Sequence, residues 1–185
     1  MKIALTGSSS TGKTTLARLL RDHAALSGIK YLSADSRKLL QRMGYRSMDL
    51  MTRQQLREFQ VAYLHSKLDL ESNIQSYITD RSTVDVAAYW LIRDTFDLPD
   101  TIRDEYIEKC RNHASKYDLH IYLPFGLLPF EFDGYRSHSL EFHEQIDKQI
   151  MKFLKAWKIK YITLDMPDLD IRLQRVLDEV KRSHV

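Results

Sequence analysis

The sequence predicts an α/β fold of three layers, a five-stranded, mostly parallel sheet with helices on both faces. Three observations carry that expectation. Short apolar runs alternate with longer segments whose apolar residues recur at helical spacing. Gly, Pro or a helix-capping residue marks most changes of pattern. An apolar run, Ile3-Ala4-Leu5, also passes directly into a glycine-bounded loop and then a helix. Strands separated by helices imply parallel pairing through crossover connections.

The first helix carries Leu16, Leu19, Leu20 and Ala24, and Gly28 stops it before a short second strand, Ile29-Lys30-Tyr31-Leu32. Asp35 opens a short helix with Leu39, Leu40 and Met43 on one face, closed by Gly44. A longer helix from about Thr52 to Ser72 has Leu56, Phe59, Tyr63 and Leu68 as its apolar stripe. Ser76 to Asp80 is the third strand, followed by a helix with Val84, Ala87, Ala88, Leu91 and Ile92 on one side. Pro99 breaks the chain, and Asp100 or Thr101 caps another helix to about Ala114. Leu119 to Leu123 is the fourth strand, ended by Pro124, and a loop rich in Phe, Pro and Gly runs on to about Arg136. The next helix carries Ile146, Ile150, Phe153 and Trp157; Ile159 to Leu164 make the fifth strand, and a last helix begins near Asp168.

The loop itself, Gly7-Ser8-Ser9-Ser10-Thr11-Gly12-Lys13-Thr14, fits G-x-x-x-x-G-K-[ST] at every fixed position. That is the phosphate-cradling P-loop, and it makes the expected fold that of a P-loop NTPase. Gly7 and Gly12 free the backbone for conformations a side chain forbids, so successive N–H groups can point at phosphate oxygens. The helix that follows adds its positive end, worth roughly 0.3–1 kcal/mol per favourable charge. Gly7, Ser8, Ser9, Ser10, Thr11, Gly12, Lys13, Thr14 and Thr15 are thus the expected ATP-binding set. Lys13 should reach the β- and γ-phosphates and the Thr14 hydroxyl should bind Mg²⁺.

Composition narrows the class without naming it. The 185 residues fit one domain, 1–185, and the 43% hydrophobic and 29% charged content is ordinary for a globular protein. A net charge of +3 argues neither for nor against a polyanionic partner. Cys110 is the single cysteine, which excludes an internal disulfide and suits a reducing compartment. Cys110-x-x-His113 has no further ligands nearby and reads as helix surface or core. No stretch has the length of a membrane span, and the phosphate-loop strand leaves no room for a cleaved signal, so a cytoplasmic location is expected.

In a doubly wound sheet, ligands bind beyond the carboxyl ends of the strands. Gly7, Asp35, Asp80 and Pro124 all fall at such ends. Asp80 closes an apolar strand, where a carboxylate holds Mg²⁺ through water; a strand-end ion pair or helix cap is the plainer alternative. Arg81 beside it can neutralise phosphate bidentately. Asp35 stands where a general base would meet an acceptor hydroxyl, or is simply the N-cap of its helix. Arg37 is placed to bind an acceptor phosphate. Gln60, beside Phe59 and Tyr63, suits reading a nucleobase edge, or is a polar surface residue. Arg136 lies in a lid-like segment, about 125–139, that can close over the triphosphate and bring an arginine to the transferring phosphoryl group; otherwise it is solvated in a turn built on Asp133-Gly134. His138, Glu141 and His143 read as polar helix residues rather than a metal cluster.

Together, Gly7–Thr14, Asp80-Arg81-Ser82 and Asp133-Gly134-Tyr135-Arg136-Ser137 resemble a family of small P-loop kinases. It includes the ribosylnicotinamide kinase (NadR-like AAA) domain of bifunctional NAD-biosynthesis proteins and nucleotide-kinase-like proteins of phages and bacteria. Asp80-Arg81-Ser82 is also similar to the acid-Arg motif of deoxynucleoside and thymidylate kinases. Phe59-Gln60 looks like the Phe-Gln of deoxynucleoside kinases, whose glutamine binds the base. The chain lacks the long, arginine-rich lid of adenylate-kinase-type enzymes, leaving Arg136 as the residue expected to close the donor side. The resemblance implies an ATP- and Mg²⁺-dependent kinase.

The expected acceptor is a small nucleoside or nucleoside monophosphate. Arg37, Arg81 and either Arg53 or Arg57 tilt the reading toward a deoxynucleotide kinase; ribosylnicotinamide is the second acceptor. A nucleotide-dependent switch without an acceptor is the competing class, and the sequence has no Asn-Lys-x-Asp for guanine. No basic stripe with interleaved aromatics points to nucleic acid. A homodimer is compatible with the sequence.

Overall fold

Ile3 and Leu5 of β1 (Lys2–Thr6) face one side of a sheet while Ala4 and Thr6 face the other, and this alternation sorts the whole protein into layers. A computed structural model describes residues 1–93, 97–135 and 137–183. Four further strands, β2 (Lys30–Leu32), β3 (Tyr77–Asp80), β4 (Leu119–Tyr122) and β5 (Tyr161–Thr163), join β1 in the order β2-β3-β1-β4-β5. All four pairings are parallel, with Ile3 opposite both Ile78 and Leu119. The strand order reverses at β1, so the loop after β1 opens at a switch point, where a crevice forms.

One face of the sheet is apolar. Ile3, Leu5, Ile78, Leu119 and Ile121 pack there against Leu16, Ala17 and Leu20 of α1 (Lys13–Asp22) and Val176, Leu177 and Val180 of α7 (Leu169–Ser183). The opposite face is mixed. There Tyr77, Thr79, His120 and Tyr122 meet a layer built from α3 (Arg53–Glu71), α4 (Thr83–Ile92), α5 (Asp100–Ala114) and α6 (Leu140–Ala156). α4 is buried over Thr83–Trp90, wedged between α5 and α6. The short α2 (Ser36–Arg42) packs on α3 beside the cleft.

Several boundaries differ from the sequence expectation. Ala24 lies outside α1, because the chain turns at His23 into a 3-10 turn and Leu26 takes the buried place instead. Pro99, not Asp100 or Thr101, is the N-cap of α5. β5 begins late: Lys158 is left-handed (φ 54°), and the Ile159 N–H closes the end of α6 on the Leu154 carbonyl. The buried stripe of α3 also differs, since Gln60, Lys67 and Glu71 are buried with Phe59, Tyr63 and Leu64. Among the described residues, no helix is long and apolar enough to cross a membrane.

Candidate active site

The loop between β1 and α1 is shaped by two glycines. At Gly7 (φ 153°) an added Cβ would collide with the Leu123 carbonyl, and at Gly12 (φ 84°) it would meet Arg172 Nη1 at 3.0 Å. Gly12 is also the N-cap of α1, and no side chain caps the helix. Its first-turn N–H groups are therefore left for an anion. The side chains of Ser8, Ser9 and Thr11 turn into the protein. Ser8 Oγ lies 3.4 Å from His143 Nδ1, Ser9 Oγ 3.1 Å from the Tyr89 hydroxyl, and Thr11 Oγ1 donates to the Ser8 carbonyl at 3.3 Å. The Gly7 N–H is committed as well, donating to Asp85 Oδ1 at 2.8 Å. Ser9 through Thr15 line the cleft, whereas Gly7 and Ser8 stand behind it. Lys13 folds over the loop, donating to the Ser8 carbonyl and, at 3.0 Å, to Thr11 Oγ1.

Thr14 Oγ1 donates to Asp80 Oδ2 at 2.5 Å, bringing the start of α1 to the end of β3. A hydroxyl and a carboxylate side by side are hard oxygen donors of the kind Mg²⁺ takes, so this pair fits the metal expected there.

Arg81 follows in a left-handed conformation (φ 81°), which turns its side chain into the cleft. Its Nη1 lies 3.9 Å from Asp85 Oδ1, and its guanidinium carbon stands 5.1 Å from the centre of the Tyr89 ring. Burial pulls the Arg81 pKa down, but Tyr89, Tyr63, Asp85 and Asp80 outweigh it and hold the guanidinium above its ordinary value. Asp85 Oδ2 accepts from the Ser82 N–H and hydroxyl, making a capping box at the start of α4. One buried carboxylate thus ties together the phosphate loop, the Asp80-Arg81-Ser82 turn and the Arg81 side chain.

Behind Arg81 lies a buried network. Lys67 Nζ donates to Glu71 Oε1, Thr79 Oγ1 and the Arg81 carbonyl at 2.6, 2.9 and 2.6 Å. Glu71 also accepts from the Tyr77 and Tyr117 hydroxyls and lies 2.7 Å from His113 Nε2. Burial pushes Glu71 up, but His113, Lys67 and Thr79 more than compensate and bring it to about 2. The Lys67–Arg81 contact fixes the strained residue from the side away from the cleft.

The remaining expected residues converge on the same cleft, whose volume is about 690 Å³. Gln60 is buried and stands beside Phe59 and Tyr63, whose rings stack with centres 6.1 Å apart. Asp35 caps α2, its Oδ1 accepting from the Arg37 and Lys38 N–H groups at 3.1 Å, so the plainer alternative holds while the residue still faces the cleft. Arg37 reaches across the opening to pair with Asp133. The segment after β4 bridges the cleft: Glu131 N–H donates to Ser10 Oγ at 3.1 Å, and Gln41 Nε2 to the Tyr135 hydroxyl at 2.9 Å. Arg136 lies outside the described residues.

Asp85, Tyr89 and Arg93 escaped the sequence reading, although the signal was there. Asp85, Tyr89 and Arg93 recur every four residues along α4 and its C-cap, and Arg81 precedes them at the same spacing; the apolar positions alone do not reveal this row. His143 lies on α6 as expected, but it is buried, packs on Phe130 with ring centres 4.8 Å apart and touches Ser8, whereas His138 precedes the helix. Among the described residues no three His, Cys, Asp or Glu side chains gather as a metal cluster.

The fold and its loop are those of a P-loop NTPase. The family model for an AAA domain (AAA_28) matches residues 2–172, and the chain belongs to that family. No curated protein matches the sequence closely. Among solved structures, deoxyadenosine kinase from M. mycoides, with dCMP and dCDP bound, is similar with TM-score 0.74 at 17% identity, covering 98% of this chain and all of that one. Thymidylate kinase from Candida albicans gives TM-score 0.73 at 16% identity, over 99% and 92% of the two chains. A NadR protein in complex with NAD and AMP-PNP gives 0.72 at 16%, covering 98% of this chain and 48% of that one.

Proposed function

We propose that the protein is a Mg²⁺- and ATP-dependent phosphotransferase that moves the γ-phosphoryl group to a small nucleoside or nucleoside monophosphate, with a deoxynucleotide favoured. One observation carries this reading. A single cleft joins the phosphate loop and the Thr14–Asp80 oxygens to Arg81 and the Phe59-Gln60-Tyr63 wall, so donor and acceptor surfaces adjoin. A switch protein needs only the first half.

The transferring phosphoryl group passes through a loose transition state, so the work of the chain is positioning and charge neutralisation. Backbone N–H groups from Ser9 to Thr14 and the uncapped start of α1 hold the triphosphate. Lys13 leaves its loop contacts for the β- and γ-oxygens. Mg²⁺, held by Thr14 and Asp80, supplies charge to those oxygens when bound. Gln60 reads the base, and Arg81 neutralises phosphate charge. Asp35 takes the proton when the acceptor is a hydroxyl. The segment after β4, which bridges the cleft through Glu131 and Tyr135, shields the transferring group from water. Ribosylnicotinamide remains the second acceptor, on the likeness in fold to NadR.

The test is a panel of nucleosides, nicotinamide riboside and deoxynucleoside monophosphates assayed with Mg·ATP. ADP formation that depends on one acceptor supports the reading. Slow, acceptor-independent hydrolysis across the whole panel contradicts it.

A further inference from the structure

Two guanidinium groups converge on one ring at the acceptor side of the cleft. The Arg93 guanidinium carbon stands 5.4 Å from the centre of the Tyr89 ring, and that of Arg81 5.1 Å. The Tyr89 hydroxyl touches Ser9, so the ring rises from the edge of the phosphate loop. Arg93 is the last residue of the four-residue ladder and lies farther along α4 from the loop than Arg81 does. Both line the cleft.

These cations are incompletely matched. Nη1 of Arg81 and Nη1 of Arg93 are buried without a hydrogen-bond partner among the described residues, and so is the Tyr63 hydroxyl in the same cleft. Leaving such donors unmade is costly, most of all for charged groups. Asp85 neutralises Arg81 only at a distance, its Oδ1 lying 3.9 Å from Nη1, beyond hydrogen-bond reach. Asp49 is the acid on the Arg93 side, and Phe142 offers only a ring face, 5.6 Å away. Burial, with Arg81 nearby, lowers the Arg93 pKa to about 10, although Tyr89 opposes the shift. Two half-buried guanidinium groups whose Nη1 donors are buried and unbonded are completed by a dianion.

We infer that Arg93 and Arg81, aligned by Tyr89, clamp a phosphate carried by the acceptor, so that the acceptor is a nucleoside 5′-monophosphate and Arg93 selects it over the nucleoside. The inference rests on the phosphotransferase reading above and makes the acceptor class definite. It also fits Asp35, one of whose carboxylate oxygens is occupied in capping α2. A phosphate acceptor is already an anion: its oxygen forms the new P–O bond as ADP leaves, and no general base is needed.

The test pairs each deoxynucleoside with its own 5′-monophosphate at saturating Mg·ATP, in the wild type and in Arg93→Gln and Arg93→Ala. Binding of the monophosphate without ATP is measured alongside, with thermal melting to establish that each variant folds. The wild type should prefer the monophosphate by at least about a hundredfold in kcat/KM, below the roughly 10⁴-fold that a site hydrogen-bonding a polar group can reach. Arg93→Gln should raise the KM and the Kd for monophosphate about tenfold, the equivalent of 1.4 kcal/mol, with the KM for ATP nearly unchanged. Wild-type preference for the nucleoside overturns the clamp but leaves the kinase reading standing. So does a variant that weakens ATP and monophosphate equally, which would give Arg93 to the donor. Lys13-dependent hydrolysis with no acceptor of either kind overturns both.

Discussion

Thr14 Oγ1 and Asp80 Oδ2 meet at 2.5 Å, although 66 positions separate the two residues in the chain. The contact is where the sheet register becomes chemistry: Leu5 pairs with Asp80, so the loop after β1 must open beside the end of β3. Asp80→Asn should preserve the hydrogen bond to Thr14 while removing the charge that the proposal assigns to holding Mg²⁺. Phosphoryl transfer should fall about a hundredfold or more, as when one preorganised electrostatic partner is lost. Titrating Mg²⁺ at fixed ATP checks this; an unchanged Mg²⁺ dependence would remove Asp80 from the metal site.

Gly7→Ala should be severe. The added methyl collides with the Leu123 carbonyl, and φ 153° disfavours it. A loss of more than about 2 kcal/mol is expected, lowering Tm by about 4–8 °C in a chain of this size. Gly28→Ala is the control, since nothing lies within 4 Å of its Cβ position and only the backbone conformation opposes it. Calorimetry on both variants should find Gly7→Ala clearly the worse.

Acid should unfold the protein in two stages. His120 Nε2 lies 3.1 Å from the Ala114 carbonyl and Nδ1 3.3 Å from Thr6 Oγ1, contacts that the neutral ring satisfies. Burial lowers its pKa to about 4, the Ala114 hydrogen bond opposing only in part. Since the unfolded ring titrates near 6.5, this contribution is full above pH 6.5 and is lost as pH falls to 4, on the order of 3 kcal/mol at most. Glu71, at about 2 against an ordinary 4.5, contributes above pH 4.5 and loses that contribution between 4.5 and 2. Tm measured from pH 8 to 3 should decline across both windows. His120→Gln should flatten the upper one and Glu71→Gln the lower.

Gln60→Leu should blur the choice of base. Removing a buried amide from a site that hydrogen-bonds its substrate forfeits discrimination by at least about tenfold, and the loss falls on kcat/KM for the preferred acceptor. Equal rates for all bases in the wild type would make Gln60 a packing residue.

The sequence pattern carried the sheet, the crossovers and the loop, because strand and helix periodicities and the Gly7–Thr14 spacing are local. Asp80, Arg81 and Gln60 were legible only as positions lining one cleft, each set by its distance from a strand end or an aromatic neighbour. What stayed hidden depends on contacts between distant segments. Asp85 looks like an ordinary first-turn acid until Gly7 is brought against it, 78 positions away. Lys67 and Glu71 form an i,i+4 pair on α3 that Tyr77, Thr79 and Tyr117 enclose, a burial that only the packing of α3 on β3 and the residues before β4 reveals. His143 resembles any polar helix residue until α6 lays it on Ser8.

Everything rests on the loop after β1 gripping a triphosphate, and titration calorimetry with Mg·ATP tests that most directly. The wild type should take up one equivalent, and Lys13→Ala should lose at least about tenfold in affinity with its melting curve unchanged. No uptake by the wild type, or equal uptake by a folded Lys13→Ala, would contradict the account.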